Sequence, residues 1–145
     1  MADDELNLGL LLFIPYRAME SAVLTALREH GHHLTISQAR VFQRIGPDGS
    51  RPGELAEAAQ LSKQTLGSIL DQLERAGYVA RTPDPADGRA RLVTITDRGR
   101  ELVALSLPVV REIERSWARH LGPDRTRQLR AALTELRSIT DPFGA

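Results

Sequence analysis

Apolar residues recur at intervals of three and four along most of this chain, and the exceptions fall in one short block. Leu12, Tyr16, Met19, Val23 and Leu27 keep that spacing and predict a long first helix from about Glu5 to Glu29. Pro15 is placed to kink it or shift its start, and Gly31 to stop it. Ser37 is a good N-cap for a second helix reaching about Ile45, and the run GPDGS at 46–50 reads as a turn. Pro52 suits the first turn of a third helix with Leu55, Ala56 and Ala59 inward. Leu61 is a turn residue that buries itself, and Ser62 caps a fourth helix. In that helix Leu66, Ile69, Leu70 and Leu73 form one stripe at i, i+3, i+4 and i+7. Gly77 stands where a helix end needs a left-handed residue, with Tyr78 placed to touch Leu73.

The helical period then breaks. Tyr78 to Arg81 and Arg91 to Ile95 read as two strands, with Val93 and Ile95 on one face and the polar, turn-rich PDPADGRA between them. Thr96 caps a fifth helix with Asp97 in its first turn. It runs to about His120, bent at Pro108, and Gly122-Pro123 restarts the chain as a sixth helix to about Ile139. The pattern is a mainly α fold with a small β-hairpin. A helix-turn-helix running into a hairpin is a winged helix-turn-helix, here expected over 37–96 within one domain of 145 residues. Helices at 5–30 and 97–141 flank it.

That architecture gives the fourth helix a task. A second helix presented by a tight turn fits a major groove about 12 Å wide, with its N-terminal residues at base edges. The outer face carries Gln64, Ser68, Asp71, Gln72 and Arg75, with Ser62 at its start and Lys63 and Thr65 in the first turn. Glutamine pairs bidentately with adenine, and Ser and Thr reach phosphates or base edges. Gly67 permits close approach of the backbone. The hairpin tip needs a cation for the narrow minor groove, and Arg89 is the candidate. The bland alternative is that a polar helix face is only solvated. Arg75, Arg91 and Arg98 each read either as phosphate contacts or as partners of Asp71, Glu74 or Asp87. Lys63 reads as a phosphate contact or a surface lysine.

Composition tempers this picture. The chain has 19 basic and 19 acidic residues, and 51–100 carries eight basic against seven acidic, so the reading head is nearly neutral. Duplex binding therefore has to come from local placement of charge and from doubling in a dimer. There is no cysteine, which excludes disulfides and thiolate chemistry. The longest apolar run, Leu10 to Ile14, is too short to span a bilayer and no basic segment precedes it, so the expectation is a soluble, cytoplasmic protein with no membrane partner.

Jointly, Gly53-Glu54-Leu55-Ala56, Leu61-Ser62-Lys63-Gln64-Thr65 and Leu73-Glu74-Arg75-Ala76-Gly77-Tyr78-Val79 resemble the multiple-antibiotic-resistance regulator (MarR) family. Asp87-Gly88-Arg89, then Val93-Thr94-Ile95-Thr96 and Asp97-Arg98-Gly99, are similar to its wing signature. Gly88 stands where the family often has a bulkier charged residue, and Ile95 where it often has Leu. The resemblance covers almost the whole chain. It implies a homodimer built by the first, fifth and sixth helices, pseudo-palindromic operators, repression, and release by phenolic or lipophilic small molecules. It also implies that Asp87 braces the wing while Arg89 enters the minor groove.

Other clusters are weaker. Tyr16, Arg17 and His33 are the best polar candidates for an effector pocket. Phe13, Tyr16, Met19 and Trp117 fit either a cavity lining or a core. His30, His32 and His33 sit at a helix end, where histidine also suits the dipole, and no metal or cofactor is expected. An enzyme has no signal here: no nucleophile elbow, phosphate loop or ligand spacing. A winged helix used only for protein contact, without specific DNA binding, is the competing reading.

Overall fold

The computed structural model describes residues 5–141. The order is α1 (Leu8–Glu29), α2 (Ile36–Phe42), α3 (Pro52–Ala59), α4 (Lys63–Arg75), β1 (Val79–Asp84), β2 (Asp87–Ile95), α5 (Asp97–Leu121) and α6 (Pro123–Thr140). It is a mainly helical fold with a two-stranded antiparallel hairpin, as the sequence predicts. The chain divides into two compact units, one ending at Ser106 and one beginning at Leu107.

In the first unit the core is mainly aliphatic. Leu66, Ile69, Leu70 and Leu73, the predicted stripe of α4, are all buried, with Val41, Phe42 and Ile45, Leu55 and Ala56, Leu27, Val93 and Leu102 around them. The helix ends follow local chemistry. Ser62 accepts the Thr65 N–H at 3.1 Å and so caps α4. Gly77 takes φ +86°, and the Tyr78 N–H reaches Leu73 O at 3.0 Å, which closes α4 as a Schellman motif and turns Tyr78 into the core.

Several boundaries differ from expectation. The cap of α2 is Thr35, not Ser37, because Thr35 and Gln38 satisfy each other's backbone N–H in a capping box; Ser37 lies inside the helix. α1 starts at Leu8, capped by Asn7, and passes through Pro15. The hairpin is longer than the two predicted strands, since most of PDPADGRA is strand and the turn is only Pro85-Ala86. Pairing reaches the tip because Asp84 accepts the Ala86 N–H at 2.9 Å and carries the chain around. Ser50 also bridges Val93 in both directions, at 2.9 and 2.8 Å, which ties the loop before α3 to the hairpin.

The start of α5 is locked to the hairpin base. Thr96 Oγ1 donates to Gly77 O at 2.5 Å and accepts the Gly99 N–H at 3.1 Å. Gly99 is required by space: a Cβ there would collide with Tyr78 O and Ile95 Cγ2.

Apolar surface is left open in both units. Leu8, Leu10, Leu11, Leu12, Phe13 and Ile14 are exposed on α1, and Leu129, Leu133, Leu136 and Ile139 on α6. The five-residue run at Leu10 understates α1. By length and composition Leu8–Glu29 is apolar enough to cross a bilayer, and only 6% of its most apolar window is buried.

Candidate nucleic-acid interface

The stripe that buries one side of α4 leaves Gln64, Ser68 and Arg75 on the opposite side, all exposed. The flanks of that open face are held by neighbouring elements. On one flank, Arg81 of β1 places Nη1 2.6 Å from Asp71 Oδ1 and 3.8 Å from Glu74 Oε1, and Nη2 3.4 Å from Gly67 O. On the other, Gln38 of α2 donates from Nε2 to Gln72 Oε1 at 2.8 Å. Thr65 Oγ1 accepts the Ser62 hydroxyl at 2.9 Å, so its own proton is free to donate. A Cβ on Gly67 would meet no atom within 4 Å, so this part of the helix surface is open.

The charges sort themselves in a way that the composition conceals. Asp71 and Glu74 pair with Arg81, Asp84 with Arg51, and Asp97 with Arg100. Among the described residues Lys63, Arg75, Arg89 and Arg91 form no ion pair. Arg75 donates from Nε to Asp71 O at 3.3 Å, within its own helix. Arg98 is occupied elsewhere: it lies 4.9 Å over the Tyr78 ring and donates to Ala76 O at 3.0 Å. Four of the seven acids between 51 and 100 are thus paired, and four cations in no ion pair remain on α4 and the hairpin.

Asp84 braces the base of the wing turn, in addition to Asp87, the residue to which the family resemblance pointed. The buried Asp84 carboxylate accepts from Arg51 Nε and lies 2.8 Å from its Nη2. The Ala86 N–H, and after it the Arg51 guanidinium, hold this carboxyl below the usual carboxylate range. Asp87 accepts the Arg89 N–H at 3.1 Å and shapes the tip, leaving the exposed Arg89 side chain pointing out of the hairpin turn region.

The three residues expected at an effector pocket are not brought together. Tyr16 lines a cleft of about 460 Å³ with Phe13, Arg40, Gln43, Ala59 and Thr65, so one cleft touches α1, α2, α3 and the first turn of α4. Arg17 lines a separate groove of about 380 Å³ along α1 and the start of α2, and His33 lines neither. In the cleft, Tyr16 donates to Glu20 at 3.1 Å and accepts from Gln43 at 3.2 Å. Glu20 is also clamped by Arg40 at 2.9 and 3.1 Å, and that guanidinium, then Tyr16, hold its carboxyl below the ordinary value. The histidines also separate. His32 is buried with Nδ1 2.8 Å from Tyr78 Oη, while His30 bonds to Ala26 O. Among the described residues no group of three acidic or histidine side chains is placed to hold a metal ion.

The geometry has counterparts. The profile of the MarR family matches residues 34–90, from the loop before α2 to the hairpin. The HTH-type transcriptional repressor Rv2887 of Mycobacterium tuberculosis is 30% identical over 136 residues, covering 93% of this chain and 96% of the repressor. The transcriptional activatory protein BadR of Rhodopseudomonas palustris is 40% identical over 65 residues, covering 44% of this chain and 37% of BadR. Among solved structures, MarR itself superimposes with a TM-score of 0.78 at 27% identity, over 95% of this chain and 93% of MarR. A Staphylococcus aureus MepR–DNA complex shares the fold with a TM-score of 0.68 at 23% identity, over 92% and 98% of the two chains. With its helix-turn-helix, hairpin and near full-length match to a repressor, this chain belongs to the MarR family of transcriptional regulators and is not an enzyme.

Proposed function

We propose that the protein is a ligand-responsive repressor that binds a pseudo-palindromic operator as a homodimer in the cytoplasm. The observation that carries this reading is the segregation of charge on the lobe. The open face of α4 presents Gln64, Thr65 and Ser68, and Lys63, Arg75, Arg89 and Arg91 around it form no ion pair among the described residues. Ser62 and the N–H groups of the first turn of α4 favour a phosphate there. Gln64, Thr65 and Ser68 read base edges, Gln72 adds a donor, and Arg89 enters the minor groove with Asp87 shaping its turn. Lys63, Arg75 and Arg91 contact phosphates. The MepR complex, a protein of the same fold caught on DNA, supports the partner, and the M. tuberculosis repressor, matched over nearly its full length, supports repression.

Dimerisation follows from the uncovered apolar faces of α1 and α6, each of which a second copy of the chain would bury. A second copy suits α1 better than a bilayer does. Leu27 is anchored in the core, and Glu20 and Tyr16 are tied to Arg40 and Gln43 of the α2 segment, polar work that a spanning helix could not perform. A two-fold pair places two α4 helices in successive major grooves about 34 Å apart. The 460 Å³ cleft beside Tyr16 is of a size for a small phenolic or lipophilic effector, and because Thr65 lines it, occupancy would shift the first turn of α4.

The test is a gel-shift assay with the duplex upstream of the protein's own gene, alongside light scattering for mass. A retarded band that survives excess nonspecific duplex, from a particle of twice the chain mass, is the expected result. A dimer with no duplex preference would leave the protein-contact reading in its place.

A further inference from the structure

We infer that Gln38 of α2 is a positioning residue for base reading: it fixes the side-chain amide of Gln72 on α4 so that Gln72 offers N–H donors to DNA and withholds its carbonyl. The inference rests on the DNA-binding reading above.

The polarity is set by a backbone group. The Thr35 N–H can only donate, and it bonds Gln38 Oε1 at 3.0 Å, so the oxygen of that amide faces Thr35. The reciprocal bond, from the Gln38 backbone N–H to Thr35 Oγ1 at 3.1 Å, completes the capping box and fixes the backbone from which the Gln38 side chain reaches back. The Gln38 amino group is therefore the end that faces α4, where it meets Gln72 at 2.8 Å. An amide NH2 has no acceptor capacity, so the Gln72 atom that meets it has to be Oε1. Two amides in series carry the orientation of one main-chain N–H across to the exposed side of the recognition helix.

The consequence is chemical. Bidentate pairing of glutamine with adenine needs the carbonyl at the adenine amino group and the NH2 at N7 together. With its carbonyl turned to α2, Gln72 cannot form that pair. Its N–H groups suit the acceptors of guanine (O6 and N7) or thymine (O4). Gln64, eight residues earlier on α4, has no side-chain partner among the described residues and keeps both halves of its amide. The two glutamines of the helix are thus different readers, and Gln38, which need not touch DNA, decides the difference.

Gln38→Glu separates this role from helix capping. A glutamate at the third position of a capping box still accepts the Thr35 N–H, so α2 keeps its cap, but it cannot donate. Gln72 then has to turn its NH2 toward the new carboxylate and its carbonyl outward. Operators are selected from randomised duplexes with wild type, Gln38→Glu and Gln72→Ala, and melting temperatures are recorded for all three. The expected result is one base pair at which Gln72→Ala loses preference and Gln38→Glu reverses it. There, guanine or thymine should give way to adenine or cytosine by about tenfold, with other positions unchanged. Selection by Gln38→Glu of the wild-type operator would overturn the inference, as would selection by Gln72→Ala of that operator. Failure of wild type to enrich any sequence would instead refute the DNA-binding reading itself.

Discussion

The Nδ1 atom of His32 lies 2.8 Å from the phenol oxygen of Tyr78, and both residues are buried. The pair joins the loop after α1 to the point where α4 gives way to β1. Arg98 covers the Tyr78 ring, and Glu101 approaches His32 Nε2 at 3.8 Å. Tyr78→Phe keeps the packing but removes the hydroxyl and leaves a buried ring nitrogen without it. The expected cost is about 1–3 kcal/mol, seen as a lower urea midpoint with an unchanged slope. An unchanged midpoint would mean that this hydrogen bond contributes nothing net.

Arg81 neutralises two carboxylates on the α4 flank. Exposed ion pairs contribute about 0–1 kcal/mol, so Arg81→Met should barely move the melting temperature. It should nevertheless weaken binding to every duplex, most at low salt, because Asp71 and Glu74 would face the phosphates uncompensated. Undiminished affinity at low salt would place that flank away from DNA.

Gly67→Ala should separate stability from function. The added methyl meets no atom within 4 Å, and alanine in a helix interior is favoured over glycine by about 1 kcal/mol. The variant should melt higher and bind its operator less well, because the methyl occupies the surface offered to the groove. A stabilised variant with full affinity would show that α4 does not approach DNA closely at Gly67.

The wing brace gives a pH signature. The Asp84 carboxyl is held below its ordinary value of 3.8 by the Ala86 N–H and by Arg51. Its contribution to stability is therefore fully present above about pH 3.8 and lost as pH falls through the lower folded-state value. Asp84→Asn should melt lower than wild type near neutrality, with a gap that narrows on acidification below that point. A gap constant with pH would assign the effect to packing and not to charge.

How much of this was legible in the sequence depended on range. The α4 stripe, the Ser62 cap and the Gly77–Tyr78 stop are contacts within about five residues, and each was readable from spacing alone. The Thr35–Gln38 capping box was equally local, a T-x-x-Q signature, and was missed because Ser37 also suits a cap. Arg81–Asp71, Arg51–Asp84 and Gln38–Gln72 join residues 10, 33 and 34 apart, and no local pattern distinguishes those side chains from solvated ones. The same pairings show what a balanced charge count leaves out: the count has no knowledge of which acids are already partnered. Tyr16 and Arg17 line different grooves for a simpler reason. They are adjacent on a helix and point about 100° apart.

The central claim is that the lobe reads duplex DNA through α4 and the wing, and Arg89 tests it most directly. Affinity for the selected operator should be measured against salt concentration for wild type and Arg89→Ala, with dimer mass checked for both. The account predicts an intact dimer, binding weaker by about tenfold or more, and a salt slope smaller by about two, one ion for each wing of the dimer. Equal affinity and an equal slope for the two proteins would contradict it.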